Sequence, residues 1–393
     1  MTAFFNSELS QQQFLTQYWQ KKPLLIRQAL PGFDPILSIE ELAGLACEEE
    51  VESRLIEEVG ESGPWQCRHG PFTESDFADL PASHWTLLVQ DVDKHVPELA
   101  PVMRRFSFIP EWRRDDLMVS FAPVGGSVGP HTDGYDVFLL QAVGSRRWQI
   151  SHEPLQEAEF IDGLDLKILR EFESDESWDL QPGDMLYLPP HFAHHGVALN
   201  DCMTFSVGFR APTQLEMLDA LMQTLTEQGG GQQRYRDPGL QVAEDDKLID
   251  AAALSRFKQS LMNVIEQSDD WISDAVGRLM TETKPSLQWL ADLTSSEAMD
   301  ETGISEKMLA GERLVRNSYI RLAWLETETD FRVYAAGESV SIDKQATDAL
   351  AMLSGDKPIA LEELKALREQ PSALAALCSL LGLGAWHWEE LES

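Results

Sequence analysis

The sequence predicts an α+β chain in three textures: a β sandwich or barrel behind a helix-and-strand lead-in, a helical segment, and a small α+β module. Three features of the residue order predict it. Between Leu117 and Phe209, short runs of apolar and β-favouring residues alternate with Gly, Pro and Asp turns, the pattern of many short strands folded on themselves. After Arg210-Ala211-Pro212 the apolar residues change to helical spacing. The last ninety residues then mix both periods.

Taken in order, Phe14, Leu15, Tyr18 and Trp19 have helical spacing, and Pro23 ends that helix before Leu24-Leu25-Ile26, which reads as a strand. LMVSFAPV, DVFLLQAV, RRWQI, DMLYLPP and MTFSVGF are the strand runs of the β region. Leu218, Leu221, Met222 and Leu225 form one helical stripe; Leu254, Phe257, Leu261, Val264 and Ile265 form another, beyond a Gly-rich break at 229–231. Such stripes are core, or a face that another copy covers. Towards the C-terminus, RLAW, FRVY and the leucine-rich ALEELKALREQ and PSALAALCSLLGLG give helix, strand and helix signals. The expected divisions are 1–212, 213–304 and 305–393.

Charge narrows the partners. Sixty-six acidic residues against 31 basic ones give a net charge of −35, a field that repels nucleic-acid phosphates and attracts basic proteins. Residues 305–393 alone carry fifteen Asp and Glu against nine Lys and Arg, so direct nucleic-acid binding by that module is not expected. The four cysteines, Cys47, Cys67, Cys202 and Cys378, form no CxxC pair, and no apolar run has the length of a membrane span. A cytoplasmic protein with no membrane association is expected.

The chemistry starts at GPHTDGYDVF, residues 130–139. Read as a strand, it turns His131 and Asp133 to one face, because residues i and i+2 share a side. Alone the pair is equally readable as hydrogen-bonded residues at a sheet edge. The stretch LQPGDMLYLPPHFAHHGVAL, residues 180–199, adds His191, His194 and His195. Two histidines and a carboxylate are the facial triad of non-haem iron(II), with three positions left open.

These segments resemble the two cupin motifs. In the second, a glycine, a proline six positions on and a histidine five positions later correspond to Gly183, Pro189 and His194; in the first, Gly125 stands six residues before His131. The likeness therefore implies His131, Asp133 and His194 as metal ligands, His195 as a neighbour, and His191, where the motif has glycine, as an outer polar residue. With LLQAVGSRRWQI, TFSVGFRAP and the early YWQKKPLLIR, the chain is similar to the JmjC-type iron(II) and 2-oxoglutarate oxygenases. Within them it resembles the ribosomal oxygenases that hydroxylate an arginine of large-subunit ribosomal protein L-sixteen. The resemblance implies a double-stranded β-helix (the cupin/JmjC jelly roll), a helical dimerisation domain and a C-terminal winged-helix-like module. It also implies a homodimer and a basic ribosomal protein as partner.

The same likeness implies iron(II), 2-oxoglutarate and O2 as cofactor and co-substrates, with Arg146, fifteen residues past His131, on the distal carboxylate. A guanidinium suits that role because its planar fork holds a carboxylate bidentately. Arg147 is expected to point away as a surface charge. Thr204, Ser206 and Ser120 are expected in the co-substrate pocket, and Tyr135 and Asp136 beside the substrate. Three other readings remain at this point: a hydroxylase of histidine or asparagine or a lysyl demethylase with the same ligands, a dimeric cupin scaffold without catalysis, and a DNA-binding regulator, which the charge opposes.

Overall fold

The computed structural model describes residues 3–58, 65–164, 166–242, 245–266, 269–289 and 299–390. The chain gathers into two compact units, Met1–Ala211 with Lys284–Trp289, and Pro212–Thr283 with Leu290–Ser393.

The first unit is built on eleven strands: β1 (Leu24–Ile26), β2 (Ser53–Glu58), β3 (Trp65–His69), β4 (Trp85–Val89), β5 (Arg114–Ala122), β6 (Val137–Val143), β7 (Arg146–Pro154), β8 (Glu176–Leu180), β9 (Met185–Leu188), β10 (Phe192–Ala198) and β11 (Cys202–Phe209). Eight of them form one sheet in the order β1-β9-β6-β11-β5-β4-β2-β3, and β10-β7-β8 form a second. Pairing within both sheets is antiparallel. The five apolar runs between Leu117 and Phe209 are thus strands. Central β11 is buried along its whole length between β5 and β6, which is why its sequence lacks the polar alternation of an exposed strand.

One face of the large sheet carries an aromatic core of Phe4, Phe14, Phe106, Phe138, Tyr187, Phe205 and Phe209. The N-terminal helix Gln11–Gln17 is started by a capping box of Ser10 and Gln13 and buries Phe14, whose ring stacks on Phe4 at 4.1 Å. The other side of β6 and β9 packs Val137, Leu139, Leu186 and Leu188 against Trp148, Ile150 and Leu180 of the small sheet. The double layer closes there, and one end of the space between the sheets is left for side chains that do chemistry.

The second unit contains helices Gln214–Glu227, Ala251–Glu266 and Asp269–Thr281 and five strands: β12 (Glu312–Arg316), β13 (Leu322–Glu326), β14 (Asp330–Ala335), β15 (Glu338–Asp343) and β16 (Trp386–Glu390). β13-β14-β15 make one antiparallel sheet and β12 pairs with β16. RLAW therefore starts a strand, not a helix. Helices Thr347–Leu353, Leu361–Arg368 and Pro371–Gly382 cover a core of Leu364, Leu377, Leu380 and Trp386. Gly277 sits where a Cβ would come 2.5 Å from the Tyr334 ring, so the helix and β14 touch only because no side chain intervenes. Helix Ala251–Glu266 buries none of its residues; its predicted stripe of Leu254, Phe257 and Leu261 faces outward.

Candidate functional site

The open end of the double layer holds a cavity of about 400 Å³. Strand alternation supplies its walls. Asp116, Met118 and Ser120 come from β5, Val137 and Leu139 from β6, Arg146 and Trp148 from β7, and Thr204, Ser206 and Gly208 from β11. His131, Asp133, Tyr135 and His194 line the same space.

His131 and Asp133 do not lie on a regular strand. His131 makes a single antiparallel bridge, to His194, with both backbone N–H groups donating across it at 3.0 Å; the segment then bends away. That one bridge suffices to face the two imidazoles, whose rings lie 4.2 Å apart. The sharp approach is made by Gly125, at φ +78, where a Cβ would strike the His84 ring at 2.6 Å. Behind His194, Gly196 lets the Trp148 ring lie flat against β10, since a Cβ there would sit 2.6 Å from it.

Both imidazoles are oriented through Nδ1. That of His131 is 2.9 Å from the Gly129 carbonyl and that of His194 is 3.0 Å from the Phe192 carbonyl. Donation from Nδ1–H to those carbonyls leaves the Nε2 lone pairs free. Asp133 faces them, its two oxygens 4.0 Å from His131 Nε2 and 3.6 Å from His194 Nε2. One donor atom from each of the three residues lies within 4.8 Å of the others. Burial pushes the His194 imidazole down to about 4, with the His131 ring adding to the effect and Asp133 opposing it, so it is a neutral donor. Two lone pairs and a carboxylate converging in this way suit one divalent cation.

Arg146 is buried at 3% exposure and its guanidinium lies 5.7 Å from the Trp148 ring. Its Nε and Nη2 have no hydrogen-bond partner among the described residues. A buried, permanently charged fork with free donors is costly unless an anion completes it. Arg147, one residue on, points outward and holds Asp179 bidentately at 2.7 and 2.9 Å, the surface role expected of it. Between Arg146 and the ligands, Thr204 Oγ1 donates to Gln141 Oε1 at 3.2 Å and Ser120 Oγ to the Thr204 carbonyl at 3.4 Å. Ser206 lines the same wall.

Asp136 is not brought to the cavity. The chain turns after Tyr135, and the Asp136 carboxylate is buried on the far side of the sheet, accepting from Tyr187 Oη at 2.6 Å and Gln20 Nε2 at 2.9 Å, with Arg113 3.6 Å away. It ties the N-terminal segment to β9. Burial raises its pKa against those partners. His195 alternates outward from His194, its ring meeting Phe172 edge-on at 6.2 Å. His191 stands in the left-handed region at φ +67, which explains why glycine suits that position of the motif.

Sequence reading missed Asp116 and its surroundings. The period-two rule, carried back four residues along β5 from Ser120, would have found it. Burial pushes Asp116 up to about 7; Lys284 opposes the shift, and Asp91, Asp115 and Asp93 add to it. Tyr135, beside it on the cavity wall, has its hydroxyl pKa raised by the Asp133 charge, by burial and by Asp116, so it is a protonated donor at any physiological pH.

The comparisons with known proteins fit this geometry. Residues 101–217 match the family model described as JmjC domain, and residues 261–387 the ROXA-like winged helix. The chain is 35% identical over 376 residues to the ribosomal protein uL16 3-hydroxylase of Escherichia coli, covering 96% of this chain and 97% of that protein. It is 35% identical to a probable ribosomal oxygenase of Haemophilus influenzae, covering 83% and 80%. A solved structure of YcfD, a ribosomal oxygenase from Escherichia coli in complex with cobalt and 2-oxoglutarate, superposes with a TM-score of 0.78 at 33% identity over 97% of this chain and 99% of that one.

Proposed function

The chain belongs to the JmjC-domain ribosomal oxygenases, and from that premise we propose that it hydroxylates an arginine side chain of ribosomal protein uL16 using iron(II), 2-oxoglutarate and O2. The observation that carries the reading is Arg146. Its unsatisfied buried guanidinium shares one cavity with the His131, Asp133 and His194 donors, as a dicarboxylate bound between a cation and an arginine requires.

In this reading His131 and His194 hold the metal through Nε2 and Asp133 through a carboxylate oxygen. Arg146 takes the far carboxylate of 2-oxoglutarate, while Thr204, Ser206 and Ser120 line the co-substrate's path. Iron with 2-oxoglutarate and oxygen supplies the oxidant for an unactivated C–H bond, with succinate and carbon dioxide as co-products. The protein's own share is positioning. Trp148 and the aliphatic wall of Val137 and Leu139 exclude water from the keto acid. Tyr135, as a neutral donor, and Asp116, as a carboxylate, face the remaining space. A cationic side chain is the complement to that pair, which favours arginine over histidine or asparagine as target. The net charge of −35 would steer a basic ribosomal protein to the surface. A ribosomal substrate would place the enzyme in the cytoplasm; no helix among the described residues is long and apolar enough to cross a membrane.

The homodimer is assigned to the second unit. Leu254, Phe257 and Leu261 on Ala251–Glu266 and Leu218 and Met222 on Gln214–Glu227 are exposed large apolar side chains at helical spacing, and a second copy is the partner that would bury them. Light scattering of Leu254→Asp/Leu261→Asp should give the monomer mass where the unaltered chain gives the dimer.

The central test is intact-mass and fragment analysis of uL16 after incubation with the iron-loaded enzyme, 2-oxoglutarate and oxygen. One added oxygen on an arginine, with matching succinate, is expected. Unaltered uL16 mass from a protein that turns over 2-oxoglutarate would refute the substrate, and formaldehyde release would indicate demethylation instead.

A further inference from the structure

Lys284 lies far along the chain from the catalytic strands, yet it belongs to the first unit. The segment Lys284–Trp289 is anchored there by buried Leu287 and by Trp289, whose ring stacks near His95 at 6.4 Å. Its Nζ lies among three carboxylates: 2.9 Å from Asp91, 3.3 Å from Asp115 and 3.8 Å from Asp116. The Asp91 contact spans 193 residues of sequence. Asp116 is the member of this group that lines the cavity.

The two oxygens of Asp116 have different surroundings. Oδ2 is held from behind, by the Asp91 backbone N–H at 3.3 Å, by the Gln90 amide at 3.1 Å in its satisfied orientation, and by Lys284. Oδ1 faces Gly208, where a Cβ would come within 3.1 Å of it and 3.9 Å of the Tyr135 ring. Glycine at 208 therefore leaves Oδ1 open towards the cavity beside Tyr135.

We propose that Lys284 is a positioning residue for substrate recognition: its ammonium balances the acidic group so that Asp116 presents a charged, oriented Oδ1 to the cationic side chain of the substrate. The proposal rests on the reading of the site as one that takes an arginine. The charge balance around Asp116 requires such a cation. Asp91 and Asp115 press on it as like charges, and Asp93 adds a further one. Lys94 is bound to Asp93 at 2.7 Å, and Arg54 reaches the group through Gln90 at 2.7 Å. Tyr135 on the cavity side is neutral. Among the described residues, Lys284 is thus a cation in direct contact with Asp91, Asp115 and Asp116 together. Removing an opposite charge at this range moves a carboxyl pKa upward by about one unit or more, which at neutral pH removes about four fifths of the remaining ionised fraction.

The full-length, iron-loaded enzyme is assayed on uL16 between pH 6 and 9 as wild type, Lys284→Met, Lys284→Arg and Asp116→Asn. Wild-type KM for uL16 should fall as pH rises through about 7. Lys284→Met should raise that KM by about fivefold at pH 7 with the deficit shrinking at higher pH, while kcat at saturation and KM for 2-oxoglutarate hold. Lys284→Arg should restore it, and Asp116→Asn should abolish the inflection. A wild-type KM and pH profile in Lys284→Met, or an inflection that survives Asp116→Asn, overturns the proposal. The second outcome decides even if Lys284→Met does not fold. Infrared spectra without substrate separate this from the substrate assignment. A protonated-carboxyl band at neutral pH that is stronger in Lys284→Met than in wild type, and absent from Lys284→Met/Asp116→Asn, supports the role of Lys284 even where wild-type enzyme leaves uL16 unmodified, the result that would sink only the assignment.

Discussion

Arg146→Met is the most informative single change at this site, because its effects on the free and the loaded protein have opposite signs. Methionine keeps an unbranched apolar stem against Trp148 and deletes the guanidinium. In the protein without co-substrate, Nε and Nη2 are buried without partners among the described residues, so their removal relieves a desolvation cost rather than breaking a bond. The substituted protein should melt at or above the wild-type temperature. With 2-oxoglutarate the balance reverses. Deleting a bidentate charged hydrogen-bond pair from a buried site costs about 3 kcal/mol, on the order of 100-fold in Kd. At a concentration of 2-oxoglutarate 100 times the wild-type Kd, ligand binding stabilises wild type by about 2.7 kcal/mol. The same concentration should stabilise the variant by only about 0.4 kcal/mol, because it now equals the Kd. Calorimetry and thermal melts with a redox-silent divalent metal, with and without 2-oxoglutarate, measure both sides. Undiminished co-substrate binding, or an unloaded variant that melts well below wild type, would refute the assignment of Arg146 as an anion receptor.

Gly196→Ala should drive a methyl group into the Trp148 ring, 2.6 Å from the position its Cβ would take, at a cost of about 1–3 kcal/mol. Because that ring lies 5.8 Å from the His194 ring, metal affinity by titration should fall as well; an unchanged melting temperature would show that β10 yields freely. His191→Gly removes a side chain from backbone at φ +67 and should stabilise the chain by up to about 1 kcal/mol in urea unfolding, the left-handed cost less the added freedom of glycine when unfolded. Asp184→Asn should cost about 1–3 kcal/mol at neutral pH, since the carboxylate accepts from the Gln28 and Gln181 backbone N–H groups at 2.8 and 3.0 Å and from Arg27 at 2.7 Å. Burial works to raise the Asp184 pKa and these bonds outweigh it, leaving it below 3.8. Its contribution is therefore present above pH 3.8 and vanishes as pH falls through the lower folded value, so wild type and variant should converge in stability in acid.

The parts of the site legible in the sequence are those governed by local rules. His131 and His194 follow from the spacing of the motifs that carry the family resemblance, Arg146 from that resemblance itself, and the two-residue period of β7 and β10 separates Arg146 from Arg147 and His194 from His195. Asp136 obeys that rule as well, against the expectation. Its expected place beside the substrate came from closeness to the ligands, whereas alternation from His131 and Asp133 runs on to Tyr135, Val137 and Leu139 on the cavity side and sets Asp136 on the opposite face, where its carboxylate meets Tyr187 and Gln20. β8 carries the polar sequence ESWDL at a sheet edge, where apolar patterning gives no signal. Lys284 is beyond reach for a different reason: its partners are set by a chain return that no local pattern encodes, and a lysine between Thr283 and Pro285 looks like any solvated loop charge.

The cavity orders its contents by charge, and this accounts for two ligands of opposite sign sharing about 400 Å³. One wall ends in the Arg146 guanidinium, with neutral Thr204, Ser206 and Ser120 along the way; the opposite wall carries Asp116, with Asp133 between them at the metal donors. A dianionic keto acid turned the other way round would set its free carboxylate against Asp116 and leave Arg146 unpaired, an arrangement disfavoured twice over. Once a divalent cation and the dianion are in place their formal charges cancel, leaving Asp133 and Arg146 balanced as well. Towards the open space the lining carries Asp116, with Arg54 and Lys167 as further charges. By pairing with Arg146 the co-substrate removes one of the positive charges that oppose a cation there. Co-substrate should therefore favour binding of the basic protein, and Arg146→Met, by removing that repulsion, should narrow the difference in affinity for a cationic peptide with and without 2-oxoglutarate, measured by calorimetry.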